Sequence, residues 1–125
     1  MRDALARVYA DFARGDMDAV LAACDDSIVF HVPGSNPLTG NYAKGEFVPR
    51  LIAKVMQITG GTFREEVLEI MTGEQYGCVF LDHTFTKNGQ PQQYLTIHLW
   101  SWNGERFTGW WEHPRSERAF DEAWC

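Results

Sequence analysis

Apolar residues in the first half of the chain recur every three or four positions, which is the spacing of one buried helix face. This spacing predicts three helices. Gly15 ends the first, Asp16 is placed to cap the second, and Gly60-Gly61 ends the third, predicted at about residues 45–58. Pro49 fits this third helix only in its first turn, because proline has no N–H to donate. The apolar positions are Leu5, Val8, Tyr9 and Phe12; Met17, Val20, Leu21 and Cys24; and Phe47, Leu51, Val55 and Ile58.

The second half is divided by turn signals into apolar, aromatic-rich runs. Two Asn-Gly pairs, at 88–89 and 103–104, predict tight hairpins in which both turn residues take a positive φ. With a looser turn at 72–74, they predict antiparallel strands at about 62–71, 76–86, 92–102 and 106–113. A short strand at 27–32 precedes a turn-rich loop at 33–42, and residues 114–125 are expected to form a loop or one helical turn with Phe120 and Trp124 folding back. Helices followed by a long meander predict an α+β fold with a pocket between its layers.

Composition narrows the possible functions. The chain has 125 residues, 45% hydrophobic and 14% aromatic, so we expect one domain over residues 1–125 with an aromatic-lined cavity. The net charge of −6 excludes the basic surface that nucleic-acid binding requires, and no apolar run is long enough to span a membrane. The first residues lack a signal-peptide pattern and the three cysteines lack CxxC spacing, so we expect a cytoplasmic protein with reduced thiols, Cys125 being exposed.

Two segments resemble a known family. Residues 23–40, Ala-Cys-Asp-Asp-Ser-Ile-Val-Phe-His-Val-Pro-Gly-Ser-Asn-Pro-Leu-Thr-Gly, and residues 109–112, Gly-Trp-Trp-Glu, resemble the SnoaL-like branch of the NTF2-like superfamily, which includes polyketide cyclases. Ketosteroid isomerases and limonene epoxide hydrolases belong to the same superfamily. The resemblance implies a cone of three N-terminal helices packed on a strongly curved antiparallel sheet that encloses an apolar pocket. It also implies a homodimer through the outer sheet face. The predicted strand at 92–102 is apolar on both faces, which fits a pocket on one side and a partner on the other.

The resemblance suggests two catalytic residues. His31 aligns with the aspartate base of ketosteroid isomerases, and imidazole titrates near neutral pH; the alternative is a histidine that hydrogen-bonds a backbone carbonyl. Glu112 stands where SnoaL-like cyclases have a pocket acid, and burial in an apolar cavity is expected to raise its pKa toward values useful for acid–base chemistry; the alternative is a solvated glutamate at the strand end. Either residue could be the base.

A third catalytic candidate, His98, shares a strand face with Thr96, near the isomerases' oxyanion hole, and either could donate a hydrogen bond to a developing enolate. The isomerase tyrosine donor falls at Val8, with Tyr9 one residue away, so steroid isomerisation by that arrangement is not expected. The arginine of the epoxide hydrolases is replaced by Phe80, which argues against that chemistry.

The remaining candidates are ligand contacts. We expect Thr96, Trp110, Trp100, Tyr94 and Tyr9 to contact the substrate. Asp82-His83 is interpreted as an outward-facing pair, because adjacent strand residues face opposite sides and cannot form a dyad. The four histidines lack HxH or HxxxH spacing, so no metal and no cofactor are expected unless ligands converge in space.

Two functions from different classes fit these residues. The favoured one is a cofactor-independent enzyme that uses pocket acid and base groups on a cyclic or aromatic carbonyl compound, in the cyclase, isomerase or lyase class. The alternative is a non-catalytic module that binds an apolar small molecule or serves dimerisation. No nucleic acid and no membrane are expected as partners in either case.

Overall fold

A computed structural model describes residues 1–125. The chain begins with two helices, α1 (Arg2–Ala13) and α2 (Met17–Ala22). Gly15 between them has a φ of 76°, and the Asp16 side chain accepts a hydrogen bond from the Ala19 N–H at 3.1 Å, so the predicted stop and cap are confirmed. α1 buries Leu5, Val8 and Tyr9 on the face that the sequence spacing indicated.

The third helical region is irregular. It consists of a 3₁₀ turn (Lys44–Glu46), a π-helical segment (Phe47–Ile52) and α3 (Ala53–Thr59). Pro49 lies in the widened π-helical segment near the start of the helix, where its missing N–H breaks the regular hydrogen-bond ladder. Gly60, with a φ of 60°, ends α3 in the left-handed conformation, as predicted.

Six strands form one sheet in the order β2-β1-β6-β5-β4-β3. Their bounds are β1 (Val29–Val32), β2 (Gly40–Ala43), β3 (Arg64–Thr72), β4 (Tyr76–Lys87), β5 (Gln90–Trp102) and β6 (Phe107–Pro114). The four-strand meander β3–β6 is confirmed. The sheet is not wholly antiparallel, because β1 pairs in parallel with β6. The predicted loop over 33–42 is wrong at its end, since β2 pairs with β1 and the buried Tyr42 donates a hydrogen bond to the Leu38 carbonyl.

The two Asn-Gly turns differ. Asn88 and Gly89 have φ values of 52° and 77°, as the predicted tight hairpin requires. At the second turn only Gly104 has a positive φ, of 97°, so the two-residue prediction is wrong there. The Asn103 side-chain oxygen instead accepts hydrogen bonds from the backbone N–H groups of Glu105 and Arg106, and this stabilises a longer loop.

The C-terminal segment is a fourth helix, α4 (Glu117–Trp124), where a loop or a single turn was expected. Ser116 caps it by accepting a hydrogen bond from the Ala119 N–H, and Phe120 and Trp124 are buried, as predicted for these two side chains. Lys87 on β4 donates hydrogen bonds to the carbonyls of Glu122 and Cys125, which anchors the end of α4. The fold therefore has three helical regions before the β3–β6 meander and one after it.

The core fills the space between the helices and the inner face of the curved sheet. Along β4 the odd-numbered residues Val79, Leu81 and Phe85 are buried, and along β5 the even-numbered residues from Tyr94 to Trp100 are buried. These two alternating sets determine which side chains can reach the interior. None of the helices is both long enough and apolar enough to cross a membrane.

Candidate active site

A pocket opens between the helices and the inner face of the sheet. Its volume is about 630 Å³ including the space at its mouth, and 16 of its 20 lining residues are hydrophobic. The four other lining residues are Glu65, His83, His98 and Glu112. No lysine or arginine lines the pocket, so two carboxylates and two imidazoles supply all of its ionisable acid–base groups apart from tyrosine hydroxyls. This composition is that of a small-molecule site with a few convergent polar groups.

One set of polar side chains joins α1 to β5 and β6, and is called here the Tyr9 network. The Trp100 indole N–H donates to the Tyr9 hydroxyl at 3.0 Å, and that hydroxyl lies 2.6 Å from His98 Nδ1. His98 Nε2 lies 3.3 Å from Glu112 Oε2, which also accepts a hydrogen bond from the Thr96 hydroxyl at 2.6 Å. All five residues are buried, so each bond forms in a medium where losing it is costly.

The carboxylate of Glu112 is kept ionised by its neighbours. The predicted rise of its pKa is wrong. Burial alone raises the pKa, but the charge and hydrogen bond of His98, the charge of His83 and the Thr96 hydrogen bond outweigh burial and hold it below its ordinary value of 4.5. Burial and the nearby Glu65 charge raise the pKa of the Tyr9 hydroxyl well above 10, so this hydroxyl stays protonated and able to donate.

A second set joins β3, β4, β5 and α4, and is called the Tyr94 network. The Trp124 indole N–H donates to the Tyr94 hydroxyl at 2.9 Å, and that hydroxyl lies 2.9 Å from His83 Nδ1. His83 Nε2 lies 2.8 Å from Glu65 Oε2. The prediction that His83 faces outward is wrong: it is 2% exposed, because it belongs to the odd-numbered, inward-facing set of β4, whereas Asp82 faces out and accepts from Gln93.

The two networks meet at their histidines. The ring centroids of His83 and His98 are 5.3 Å apart, and the rings pack edge to face. Burial lowers the pKa of His83, but the hydrogen bond and charge of Glu65, with smaller contributions from Glu112 and Asp82, outweigh burial and raise it above 6.5.

The structure does not bring His31 into this pocket. On β1 the side chains of Phe30 and Val32 line the pocket, so the His31 side chain between them lies on the opposite face of the sheet. Its ring stacks on Trp111 with centroids 4.9 Å apart, and Nδ1 lies 2.9 Å from the Trp110 carbonyl oxygen. His31 therefore does not point into the apolar pocket, although His31 and Glu112 both border a second, mostly polar depression. The alternative of a histidine bonded to a backbone carbonyl describes its position.

The other predicted residues divide into two groups. Six of them line the pocket: Tyr9, Tyr94, His98, Trp100, Trp110 and Glu112. Thr96 is fully buried behind it and acts on the pocket only through its hydrogen bond to Glu112. Glu65, His83 and Trp124 were missed as site residues. Register counted from the turn would not have found the first pair, because Thr72 lies opposite Gly77 and a regular hairpin would then place Glu65 opposite Thr84. A β-bulge between Val67 and Glu69 shifts the register and brings Glu65 opposite His83.

Three of these side chains also form a donor set for a metal. Glu65, His83 and His98 each offer one ligand atom, and these atoms all lie within 4.8 Å of one another. A carboxylate with two imidazoles suits first-row transition metals. The convergence is purely spatial, since the histidine spacing in the sequence contains no metal-binding pattern.

Solved structures share this fold. Bal32a from a soil-derived mobile gene cassette superposes with a TM-score of 0.90 at 22% identity, covering 98% of this chain and 95% of that one. An NTF2-like protein from Burkholderia thailandensis gives a TM-score of 0.88 at 15% identity, with 98% and 95% covered. TerC co-crystallised with polyporic acid gives 0.85 at 20% identity, with 97% and 95% covered.

The sequence itself places the chain in a family. A comparison with curated proteins finds no match. The model of the SnoaL-like domain family matches residues 5–110, which leaves residues 1–4 and 111–125 outside the match, including the end of β6 and all of α4. Together with the cone of helices on a curved sheet, this match shows that the chain belongs to the SnoaL-like domain family of NTF2-like folds.

Proposed function

We propose that the protein is a cofactor-independent enzyme that moves a proton next to the carbonyl group of a cyclic or aromatic compound held in the pocket. The observation that carries this proposal is the Tyr9 network, in which an ionised glutamate and a histidine–tyrosine pair border one apolar cavity. Burying ionisable groups costs stability unless they are paired with one another or serve a function. Here Glu112, His98 and Tyr9 are paired, and the pairing leaves Glu112 Oε1 without a protein partner.

Glu112 is the base in this proposal. Both of its hydrogen bonds fall on Oε2, so Oε1 has no protein partner. No fully buried side-chain oxygen lacks a partner, and Oε1 therefore has access to open space. The lowered pKa keeps the carboxylate ionised at neutral pH, in the form that accepts a proton.

The Tyr9–His98 pair serves the substrate oxygen. When Glu112 takes a proton from the carbon beside the carbonyl, the electron pair of that C–H bond forms the C=C bond of an enolate, and the π pair of the carbonyl moves to its oxygen. The Tyr9 hydroxyl, oriented by the Trp100 N–H and by His98, then donates a hydrogen bond to this oxygen. Return of the proton to the same carbon completes an exchange, and its delivery to another carbon completes an isomerisation. In a ring closure the enolate carbon instead attacks a second carbonyl carbon of the same substrate, whose C=O π bond opens, and the proton goes to that oxygen.

The pocket walls favour an aromatic or polycyclic ligand. Its lining includes the aromatic rings of Phe30, Phe47, Phe63, Trp100, Trp110 and Trp124. TerC, which has the same fold, was co-crystallised with polyporic acid. That co-crystal supports a small organic molecule as the ligand of this chain.

We also propose a homodimer through the outer sheet face. Phe80, Leu95, Ile97 and Leu99 lie there on neighbouring strands and are only half-buried in one chain. A contiguous apolar face of this kind is typical of a protein–protein interface.

The first experiment is native mass spectrometry of freshly purified protein, followed by denaturing extraction of any bound molecule. The second uses 1-tetralone, an aromatic cyclic ketone, as a probe and follows exchange of its C2 protons in D₂O by NMR. We expect catalysed exchange by the wild type and none by Glu112→Gln, whereas His113→Gln, on the outer face, exchanges normally. Binding of 1-tetralone without catalysed exchange, or exchange that Glu112→Gln leaves intact, contradicts the enzyme and supports a binding module.

A further inference from the structure

Four polar side chains in the pocket bring metal-binding atoms close together. His83 Nε2 lies 2.8 Å from Glu65 Oε2, and His98 Nε2 lies 3.3 Å from Glu112 Oε2. Ligand atoms of Glu65, His83 and His98 all lie within 4.8 Å of one another, and the centroids of the two imidazole rings are 5.3 Å apart. The histidine spacing predicted no metal unless ligands converge in space, and in the folded chain three ligands do converge.

Both imidazoles are oriented through their other ring nitrogen. His83 Nδ1 lies 2.9 Å from the Tyr94 hydroxyl, and His98 Nδ1 lies 2.6 Å from the Tyr9 hydroxyl. Each hydroxyl oxygen is held by an indole N–H and can also accept an Nδ1–H. In that tautomer of the neutral ring the lone pair is on Nε2, the nitrogen that faces a carboxylate. Metal-binding histidines are usually oriented in this way, by a hydrogen bond from the ring nitrogen that does not bind the metal.

The two carboxylates supply free ligand atoms and negative charge. The hydrogen bonds of Glu65 and Glu112 fall on Oε2 alone, so Oε1 of each has no protein partner. No lysine or arginine lines the pocket, so no permanently charged cation of the protein balances the two carboxylates there. Since an uncompensated charge is costly in an apolar pocket, a divalent cation is the kind of ion that this site favours.

We propose that Glu65, His83 and His98 bind one divalent first-row transition metal ion in the pocket, through one carboxylate oxygen and Nε2 of each imidazole. Ligand atoms at about 2.0–2.2 Å from a four-coordinate ion of this class lie roughly 3.4 Å from one another. Ligand atoms that are at most 4.8 Å apart therefore reach this geometry by side-chain shifts of about an ångström.

The ligand types indicate which ions the site selects. Imidazole nitrogens with a carboxylate oxygen suit Fe²⁺, Co²⁺, Ni²⁺, Cu²⁺ and Zn²⁺, whereas Mg²⁺ and Ca²⁺ prefer oxygen ligands alone. Three protein ligands leave at least one coordination position for an oxygen atom of a small molecule in the pocket. The proton transfer proposed above requires no metal, so this site goes beyond the proposed function.

The test titrates Zn²⁺ into EDTA-treated, dialysed protein by calorimetry, with Mg²⁺ for comparison. We expect one Zn²⁺ to bind in the pocket of each chain and no Mg²⁺ to bind. Glu65→Gln, which keeps the shape of the side chain, and His83→Gln should each weaken Zn²⁺ binding more than about 100-fold, because a change in an outer-shell partner alone costs about 10–100-fold. Tyr94→Phe removes the partner of His83 Nδ1 but no ligand, and should weaken binding about tenfold.

Histidines and a thiol outside the pocket provide the matched controls. The double variant His31→Gln/His113→Gln and the variant Cys125→Ser should both keep the pocket's Zn²⁺, because these side chains do not line the pocket. Co²⁺ is the spectroscopic probe: its visible absorption should change on binding to the wild type and to both controls, but not on addition to Glu65→Gln. Thermal melting checks that each variant is folded, and Zn²⁺ should raise the melting temperature of the wild type but not that of Glu65→Gln.

Three outcomes overturn the proposal. They are a wild type that binds no Zn²⁺, binding that Glu65→Gln and His83→Gln both retain, and binding that the His31→Gln/His113→Gln variant abolishes. Because metal binding is measured without substrate, and exchange of 1-tetralone protons can be measured in EDTA-treated protein, failure of the metal site is separable from failure of the proposed proton transfer.

Discussion

Replacing Glu112 by glutamine tests the buried pairing on which the site depends. The amide keeps the shape of the side chain and can still accept from Thr96, but it loses the charge that both hydrogen bonds share. A hydrogen bond to a charged partner contributes about 1.5–3 kcal/mol and a neutral one about 0.5–1.5 kcal/mol. The short Thr96 bond therefore loses about 1 kcal/mol, and the 3.3 Å contact with His98 loses about 1 kcal/mol more. We expect Glu112→Gln to lower the free energy of unfolding by about 2 kcal/mol at pH 7.

The same substitution changes how stability depends on pH. The folded-state pKa of Glu112 lies below the ordinary value of 4.5, so its ionised form stabilises the native state above that pH. This stabilisation is lost as the pH falls through the lowered pKa. The gap between wild type and Glu112→Gln should therefore shrink in acid, because only the wild type loses this contribution.

The assay is urea unfolding at fixed protein concentration, at pH 7 and at several acid pH values, for wild type, Glu112→Gln and the exposed control Glu74→Gln. A double-mutant cycle with Thr96→Val isolates the Thr96–Glu112 bond and should give a coupling above about 0.5 kcal/mol. The reasoning fails if Glu112→Gln is no less stable than Glu74→Gln at pH 7. It also fails if their difference is unchanged in acid.

Two further predictions concern the outer face and the thiols. Ile97→Glu places a charge at the centre of the half-buried outer face and should convert a dimer into a folded monomer in sedimentation analysis; an unchanged mass contradicts that interface, and Glu74→Gln is the control. Burial raises the pKa of the Cys24 thiol to about 12, so in a thiol-reagent titration at pH 7 exposed Cys125 should react at once and Cys24 only after unfolding. Rapid modification of Cys24 in the native protein would contradict this and show that the segment after α2, which bridges to Phe107, opens readily.

The helices and the meander could be predicted because they depend on local physics. Helix faces, glycine stops and the Asp16 cap are properties of segments a few residues long, and so is the tight turn at Asn88-Gly89. The conformation of the Asn103 turn was predicted wrongly because the Asn103 side-chain oxygen accepts hydrogen bonds from two backbone N–H groups. These bonds favour a longer loop than the tight two-residue turn. The helix α4 was not predicted because a helix of eight residues is marginal by itself. It is stabilised by tertiary packing, here the burial of Phe120 and Trp124.

For the site, the sequence by itself determined which strand faces carry polar groups: His98, Thr96 and Glu112 follow from the two-residue period of β5 and β6. Only the tertiary structure decided which faces enclose the pocket. Whether an alternating strand residue points inward depends on which face of the sheet the helices cover. His83 lies on the covered face and lines the pocket, whereas His31 lies on the outer face. The pairing of Tyr9 with His98, 89 positions along the chain, likewise arises only when α1 packs across the sheet, because no local pattern encodes a contact between such distant residues.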